Sequence, residues 1–565
     1  MILLNPKTEN FEHFDPQSRQ LLKKTVQWFE TKGKEKLKHD DHHRVWYSDF
    51  IEFVKKEKLF ATFLTPAAEG DGETRWDTYR NCALNEILGF YGLAYWYTWQ
   101  VTILGLGPIW MSSNKSIKEK TADLLQNGGI FAFGLSEKEH GADIYSTDML
   151  LKPQDDGTFL AQGDKYYIGN ANEAALVSTF GIISETDDYV FFVVESNHEK
   201  FDCVRNVVNS QTYVAEYVLN DYPIMEKDIL AKGKDAWDMS LNTVNVGKYN
   251  LGWASIGICT HAFYEALNHA SQRRLFDHYV TDFTHIKQLF IDAFTRLTAM
   301  KLFALRASDY MRSASIDDRR YLLYNPMVKM KVTSQGEEVM DLLWNVIAAK
   351  GFEKDMYFEM AVRDIRALPK LEGTVHVNMA LIIKFMANYF FHPKSYPEIP
   401  LCNEPVDDDF LFHQGHAKSL GKIKFHDYRL AYNSVNLPNV RIFKKQISTL
   451  KKLLLLARPK EDQIKDFDIL LNLGELFTLV AYGQLIIEKF QLDNFDADIL
   501  DQIFDCMIRD FSRYALNLYS KTNITAPQKY FCKRMIRKPI KNTDRSKRVL
   551  QNHIYSLKDQ YEMNF

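Results

Sequence analysis

The chain has 565 residues, of which 46% are hydrophobic and 25% charged, and its net charge is −3. That length exceeds one ordinary core and predicts about two to four globular domains. A near-neutral balance excludes a protein that binds polyanions through its whole surface. Six scattered cysteines without a C-x-x-C pair exclude a disulfide framework and a cysteine zinc site, and predict reduced thiols in the cytoplasm.

Taken in order, residues 1–127 read as a helical domain. Its first residues, MILLNPKTENFEHFD, have neither a basic n-region nor a long apolar run, so they are expected to be neither a signal nor a transit peptide. Leu21, Leu22, Val26 and Phe29 have helical spacing. His39, Asp40, His42 and His43 invite a metal reading. They are contiguous, however, so few of them would converge on one ion, and a solvated charged turn is expected instead, with no metal site. Ile87 to Met111 carries no charge and is long enough to cross a bilayer. Its glycines, Pro108 and the central run Tyr95 to Gln100 instead predict two buried helices of a large core.

At Gly129 the pattern changes to short apolar runs between turn signals, rich in β-branched residues: GIFAFGL, YYIG, ALVSTFGII, YVFFVVES and TYVAEYVL. These predict a β domain over 128–232. Helical spacing returns over 233–392. Gly252 and Gly257 would let helices approach closely there, and the stripe from Phe283 through Ile286, Phe290, Ala293 and Leu297 predicts a long amphipathic helix. Residues 393–409 carry four prolines and read as a linker. Over 410–565, apolar spacing predicts three helices, around 447–457, 469–477 and 499–511. His413 and His416 are expected in a loop. Between Lys529 and Arg548 nine cations face only Asp544. This is the composition of a segment for phosphate, nucleic acid or an anionic membrane surface, and equally of a solvated basic helix face.

One carboxylate stands apart. Glu372 follows Leu371 and precedes Gly373, Thr374 and an apolar run. Desolvation there would raise its pKa and suit a general base near neutral pH, whereas a surface helix N-terminus would leave it ordinary.

The segment RDIRALPKLEGTVHVNMALI resembles the catalytic segment of the acyl-CoA dehydrogenase family. Four more stretches, in the family's order, share the resemblance. FGLSEKEHGAD (133–143) is similar to T-E-P-x-x-G-S-D, with Lys138 and Ala142 departing. LAQGDKYYIGNAN (160–172) is similar to N-G-x-K-x-W-I-T-N, with Tyr167 for tryptophan and Gly169 for threonine. RRLFDHYVTDFTHI (273–286) is similar to R-x-x-F-G-x-x-I-x-x-F-Q. WNVIAAKGF (344–352) is similar to Q-x-x-G-G-x-G-F, with Ala348 and Ala349 for the paired glycines.

The resemblance covers about residues 80–390. It implies a mainly α fold with a central β domain: an α-helical domain, a β-barrel-like domain and a four-helix bundle, followed by a C-terminal helical domain. It implies FAD-dependent α,β-desaturation of an acyl-CoA thioester, with Glu372 as base and Ala142, Lys248 and Gly373 toward substrate. Phe133, Leu135, Ser136, Tyr167, Gly169 and Thr374 would meet FAD. Arg273, Phe276, Asn345 and Ala349 would also meet FAD, the first two reaching the cofactor of a neighbouring subunit in a homodimer or dimer of dimers. An electron-transfer flavoprotein would take the electrons. An acyl-CoA oxidase, an alkylation-response flavoprotein that binds nucleic acid, and a scaffold without flavin are the other readings.

Overall fold

The computed structural model describes residues 2–141, 143–416 and 420–565; Ala142, assigned above to substrate, lies outside them. Six helices come first: α1 (Pro16–His42), α2 (Ser48–Glu57), α3 (Leu59–Leu64), α4 (Thr78–Tyr91), α5 (Leu93–Met111) and α6 (Lys115–Gln126). The uncharged stretch is split at Gly92 into α4 and α5, and both are buried almost throughout. Asp364 caps the start of α5, its carboxylate accepting from the Leu93 N–H at 3.3 Å.

The expected charged turn at 39–43 is instead largely the last turn of α1, and its neighbours are not solvated. Lys38 and Asp40 are buried, because Asp40 is paired with Lys32 and Lys36 and Lys38 with Glu359. Asp41, His42 and Glu359 do come within metal-ligand reach of one another. Arg363 already pairs with both carboxylates.

The middle domain has eight strands: β1 (Phe131–Gly134), β2 (Leu150–Pro153), β3 (Phe159–Gly169), β4 (Leu176–Ile183), β5 (Tyr189–Val194), β6 (Phe201–Asn206), β7 (Val214–Ile224) and β8 (Ile229–Lys232). They form one mixed sheet in the order β6-β7-β3-β2-β4-β5-β8. β1 lies parallel to β4 over 176–179, and β2 parallel to it over 182–183. The β3–β7 register shifts between Tyr166 and Ile168. At that bulge Tyr167 takes φ +66° and turns outward, 58% exposed.

The second helical region contains α7 (Gly233–Gly247), α8 (Asn250–Gln272), a hairpin of β9 (Arg274–Leu275) and β10 (His278–Tyr279), α9 (Thr284–Arg312), α10 (Tyr321–Met327), α11 (Thr333–Ile347), α12 (Tyr357–Ala367), α13 (Val375–Ile383) and α14 (Met386–Phe391). α10 passes into α11 through a π-helical turn, Val328–Val332. α8, α9 and α11 pack on one another, and α8 lies along α4. Gly257 makes that crossing close: a β-carbon on it would collide with the Glu86 carbonyl and stand 2.6 Å from the Phe90 nitrogen.

Residues 393–409 do not hang free as a linker. Arg306 and Arg312 hold the carbonyls of Ile399, Pro400, Cys402 and Glu404, and Asp408 accepts from the Thr78 N–H at 2.6 Å. The strap leads to α15 (Arg429–Asn433), α16 (Pro438–Leu456), α17 (Glu461–Lys465), α18 (Phe467–Asp493), α19 (Ala497–Tyr519), α20 (Ala526–Met535) and α21 (Thr543–Val549). The three helices expected from spacing are α16, α18 and α19. Among the described residues α18 alone is long and apolar enough to cross a membrane, yet most of it is buried against α9, α13 and α19.

Candidate functional site

Glu372 sits in the turn between α12 and α13. It takes φ +50° and Gly373 φ +84°, a pair of left-handed residues that reverses the chain before Thr374 caps α13. The residue as a whole is half-buried. Its Oε2 nevertheless has no solvent contact and no hydrogen-bond partner among the described residues. Oε1 accepts from Gln100 Nε2 at 2.7 Å. Burial pushes this carboxyl up to about 7, against the pull of the Gln100 N–H and of the Lys329 and Lys248 charges. The Glu372 backbone N–H makes no hydrogen bond among the described residues.

Two buried lysines face the carboxylate. Lys248, just past α7, reaches Asn378 Oδ1 at 3.5 Å. Burial lowers it to about 8 although Glu372 opposes the shift. Lys329, in the π turn, donates to the Leu368 carbonyl at 2.8 Å and is lowered by burial to about 7. The sequence assigned Lys248 toward substrate, and the structure sets it beside Glu372; Lys329 and Gln100 were missed. Each left a signal: a lysine inside the apolar run Met327–Val332, and a lone amide in a segment with no charge at all.

From α5 the site continues onto the rim of the β domain. Tyr97, three residues before Gln100, is also exposed to the Glu372 charge, which with burial pushes its hydroxyl up. A β-carbon on Gly169 would meet its ring. Ser136 Oγ donates to the Tyr166 carbonyl at 2.7 Å, and the Tyr166 N–H to the Ser136 carbonyl at 2.9 Å. The loop after β1 and the end of β3 are thereby bound together, with half-buried Leu135 and exposed Tyr167 beside them. Phe133 has its ring in the sheet core, stacked on Phe191 at 5.9 Å, and its carbonyl accepts from the Leu135 N–H at 3.1 Å. Glu137 and Lys165 form a buried ion pair at 2.6 Å.

Arg273, Phe276, Asn345 and Ala349 lie on another surface. Phe276, at the tip of the β9–β10 hairpin, is 86% exposed. Asn345 and Ala349 are exposed around the end of α11. His269 lies in the fields of both Arg273 and Lys350, so the two segments are neighbours. None of the four contacts the Glu372 side chain among the described residues.

The basic run at 529–548 is partly neutralised by α19. Arg545 is buried against Asp501 and Asp505, and Arg548 pairs with Asp498 at 2.5 Å. His416 lies in a loop, as expected, and has the Asp238 carboxylate at 2.5 Å.

A family model described as acyl-CoA dehydrogenase, C-terminal domain, matches residues 235–387. The chain is similar to a probable short/branched chain specific acyl-CoA dehydrogenase of Dictyostelium discoideum, 22% identical over 48% of this chain and 67% of that protein. It is also similar to a short-chain specific acyl-CoA dehydrogenase of Megasphaera elsdenii, 20% identical over 60% of this chain and 90% of that one. A third relative is the caffeyl-CoA reductase-Etf complex subunit CarC of Acetobacterium woodii, 22% identical over 53% of this chain and 79% of that protein. Among solved structures, an acyl-CoA dehydrogenase complexed with FAD from Bacillus anthracis superposes with a TM-score of 0.76. It is 14% identical and covers 98% of this chain and 97% of its own, so the C-terminal helices belong to the shared fold.

Proposed function

We propose that the chain is a member of the acyl-CoA dehydrogenase family that binds FAD and desaturates the α,β-bond of a fatty acyl-CoA thioester, with Glu372 removing the α-proton; the matched family model over 235–387, the relatives and the shared fold support this. The observation that carries this is Oε2 of Glu372, a carboxylate oxygen shut off from water and without a hydrogen-bond partner among the described residues. Leaving such an acceptor unsatisfied costs roughly 1–3 kcal/mol. A base must have an empty acceptor, and burial that brings its pKa near 7 matches it to a weakly acidic proton at neutral pH.

The residues around it fit a flavin. Tyr167 offers an exposed aromatic face, and the Leu135–Ser136 and Tyr167–Gly169 edges offer polar backbone beside it. Phe133, Leu135, Ser136, Tyr167, Gly169 and Thr374 would hold the ring end. Arg273, Phe276, Asn345 and Ala349, on the other surface, would reach the dinucleotide of a second copy in a homodimer or dimer of dimers. When bound, FAD supplies an acceptor for the β-hydrogen as hydride.

Glu372 Oε2 takes the α-proton, and the Glu372 N–H, without a partner among the described residues, donates to the thioester oxygen as enolate charge develops there. Gly373 gives the chain its second left-handed step, which completes the turn into α13. Lys248 and Lys329 keep enough positive charge nearby for the carboxylate to exist in so dry a place. An electron-transfer flavoprotein is the proposed acceptor, in keeping with the Etf-complex relative.

The test is the visible spectrum of the purified protein after reconstitution with FAD. A flavin band that bleaches anaerobically with an acyl-CoA in the wild type and not in Glu372→Gln is the expected result. Absence of any flavin band, or equal bleaching in Glu372→Gln, overturns the proposal. Steady peroxide formation in air would assign the oxidase reaction instead.

A further inference from the structure

A line of buried side-chain amides runs from two tryptophans to the base. Trp96 Nε1 and Trp99 Nε1 both point at one atom of Asn85, at 2.7 and 3.2 Å. An indole nitrogen only donates, so that atom is the amide oxygen. The Asn85 nitrogen therefore faces the other way. It donates to the Asn81 carbonyl at 2.7 Å and to Asn250 Oδ1 at 3.1 Å. Asn250 Nδ2 must then donate to Gln100 Oε1, at 2.9 Å. Gln100 is left with its amide nitrogen facing Glu372 Oε1 at 2.7 Å, and the Gly247 carbonyl takes the second hydrogen at 3.1 Å. Asn85, Asn250 and Gln100 are at most 2% exposed. Each flip of an amide would bring two donors or two acceptors together in a dry interior, at a cost of about 1–3 kcal/mol per unmade bond.

We infer that this relay has a fixed direction and that Gln100 and Asn250 are positioning residues: they hold Oε1 of Glu372 as a permanent acceptor and thereby make Oε2 the oxygen that takes and returns the proton. Because no amide in the line can turn over alone, whichever carboxyl oxygen faces Gln100 meets an N–H donor, and the proton is confined to the other oxygen. The other charged or titratable groups facing Glu372 are Tyr97 on α5, Lys248 after α7 and Lys329 in the π turn. Of these groups and Gln100, only Gln100 is recorded in a hydrogen bond to the carboxyl group. The inference rests on Glu372 being the base proposed above, but its test does not require turnover.

The experiment is infrared difference titration of the flavin-bound protein without substrate, with Glu372→Gln subtracted to isolate the Glu372 carboxyl band. In the wild type the protonated C=O stretch lies at the low frequency of a hydrogen-bonded carbonyl, because Oε1 still accepts from Gln100 while Oε2 carries the proton. Gln100→Leu should move the band to higher frequency and raise the titration midpoint by about 1 pH unit, since a hydrogen bond to the charged form is lost. Asn250→Leu should move both in the same direction by less. The double variant should go no further than Gln100→Leu, because Asn250 acts through Gln100. If Gln100→Leu does not fold, Asn250→Leu alone carries the test. An unchanged band and midpoint in the folded variants would overturn the relay, even where a structural defect lowers flavin content. If the wild type fails to bleach with any acyl-CoA, the proposed reaction falls while the titration still decides the relay.

Discussion

A β-carbon built on Gly169 would stand 2.5 Å from Cε1 of Tyr97 and 2.9 Å from Cγ2 of Val101. The related motif has a threonine at this place, and here the bulk has moved to the facing helix. Gly169→Thr should therefore overpack the α5–β3 contact and lower stability by about 1–3 kcal/mol. Adding Tyr97→Leu should recover most of the loss by returning the volume. Thermal unfolding of the single and double variants measures this, and an additive double variant would show that the two residues do not share the space.

The base should titrate where the reaction can be followed. As the proposed base, Glu372 would work as the carboxylate, so flavin bleaching by acyl-CoA should rise with pH through about 7. Lys248 lowers that midpoint by its charge, so Lys248→Met should raise it by about 1 pH unit and slow the reaction at pH 6 more than at pH 8.5. Stability has the opposite sign. A folded-state pKa of about 7 above an ordinary 4.5 means that the fold prefers the protonated acid and loses stability as pH rises from 4.5 to 7. Glu372→Gln removes that loss, at most about 3 kcal/mol, reduced by what Lys248 and Lys329 forfeit with their partner. Denaturation midpoints of the two proteins should thus diverge between pH 5 and 8, in favour of the Glu372→Gln variant.

Glu372 was legible because its neighbours are small or apolar and the turn needs a glycine. Strands β1, β3, β4, β5 and β7 were legible because β-branched runs alternate with turn residues. The amide relay was not, since Asn85, Gln100 and Asn250 come from three helices and no spacing along one of them reports their meeting. The short strands β2, β6 and β8 were missed because LLKP and ILAK are too brief, and FDCVRN too polar, to carry a period-two signal. Part of the charge balance at 529–548, that of Arg545 and Arg548, was hidden for a related reason. Their partners Asp498, Asp501 and Asp505 lie about 40 to 50 residues away on α19, where a count along the sequence does not see them.

Ala348 closes α11 with φ +58° and ψ −138°, a region that L side chains occupy at a cost of about 1–3 kcal/mol. The related motif has glycine there. Ala348→Gly should release that strain and lose only about 0.4–1 kcal/mol to the freer unfolded chain, for a net gain of about 1 kcal/mol. A higher unfolding midpoint is the expected result. A lower one would mean that the alanine methyl makes a contact worth more than its strain.

Phe276 and Phe352 are 86% and 68% exposed, and both lie on the surface assigned above to a second copy. Aromatic side chains this exposed are characteristic anchors of subunit contacts. Phe276→Asp should weaken self-association at least tenfold in sedimentation equilibrium while leaving the circular dichroism spectrum unchanged. If the wild type sediments as a monomer at micromolar concentration, Arg273 and Phe276 have no neighbouring cofactor to reach.

The ion pair of Lys165 and Glu137 ties β3 to the loop that follows β1. Lys165 Nζ lies 2.6 Å from Glu137 Oε1, and the other oxygen accepts from the Asp148 N–H at 2.8 Å. Both side chains are buried. Burial opposes the Glu137 charge, but Lys165 with the Asp148 and Thr147 bonds holds that carboxyl below its usual range. Lys165→Met leaves a dry, unpaired carboxylate and should cost about 3–5 kcal/mol. Glu137→Gln with Lys165→Met should restore most of this, because glutamine still accepts from Asp148 and no charge is left to desolvate. The restoration depends on pH in a known direction. With the lysine gone, Glu137 would titrate upward, so the single variant should regain stability in acid as the carboxyl takes a proton. Urea midpoints for the wild type, single and double variants at pH 5 and 8 test both parts, and a double variant as unstable as Lys165→Met would mean that the packing of the lysine stem, not its charge, holds the loop.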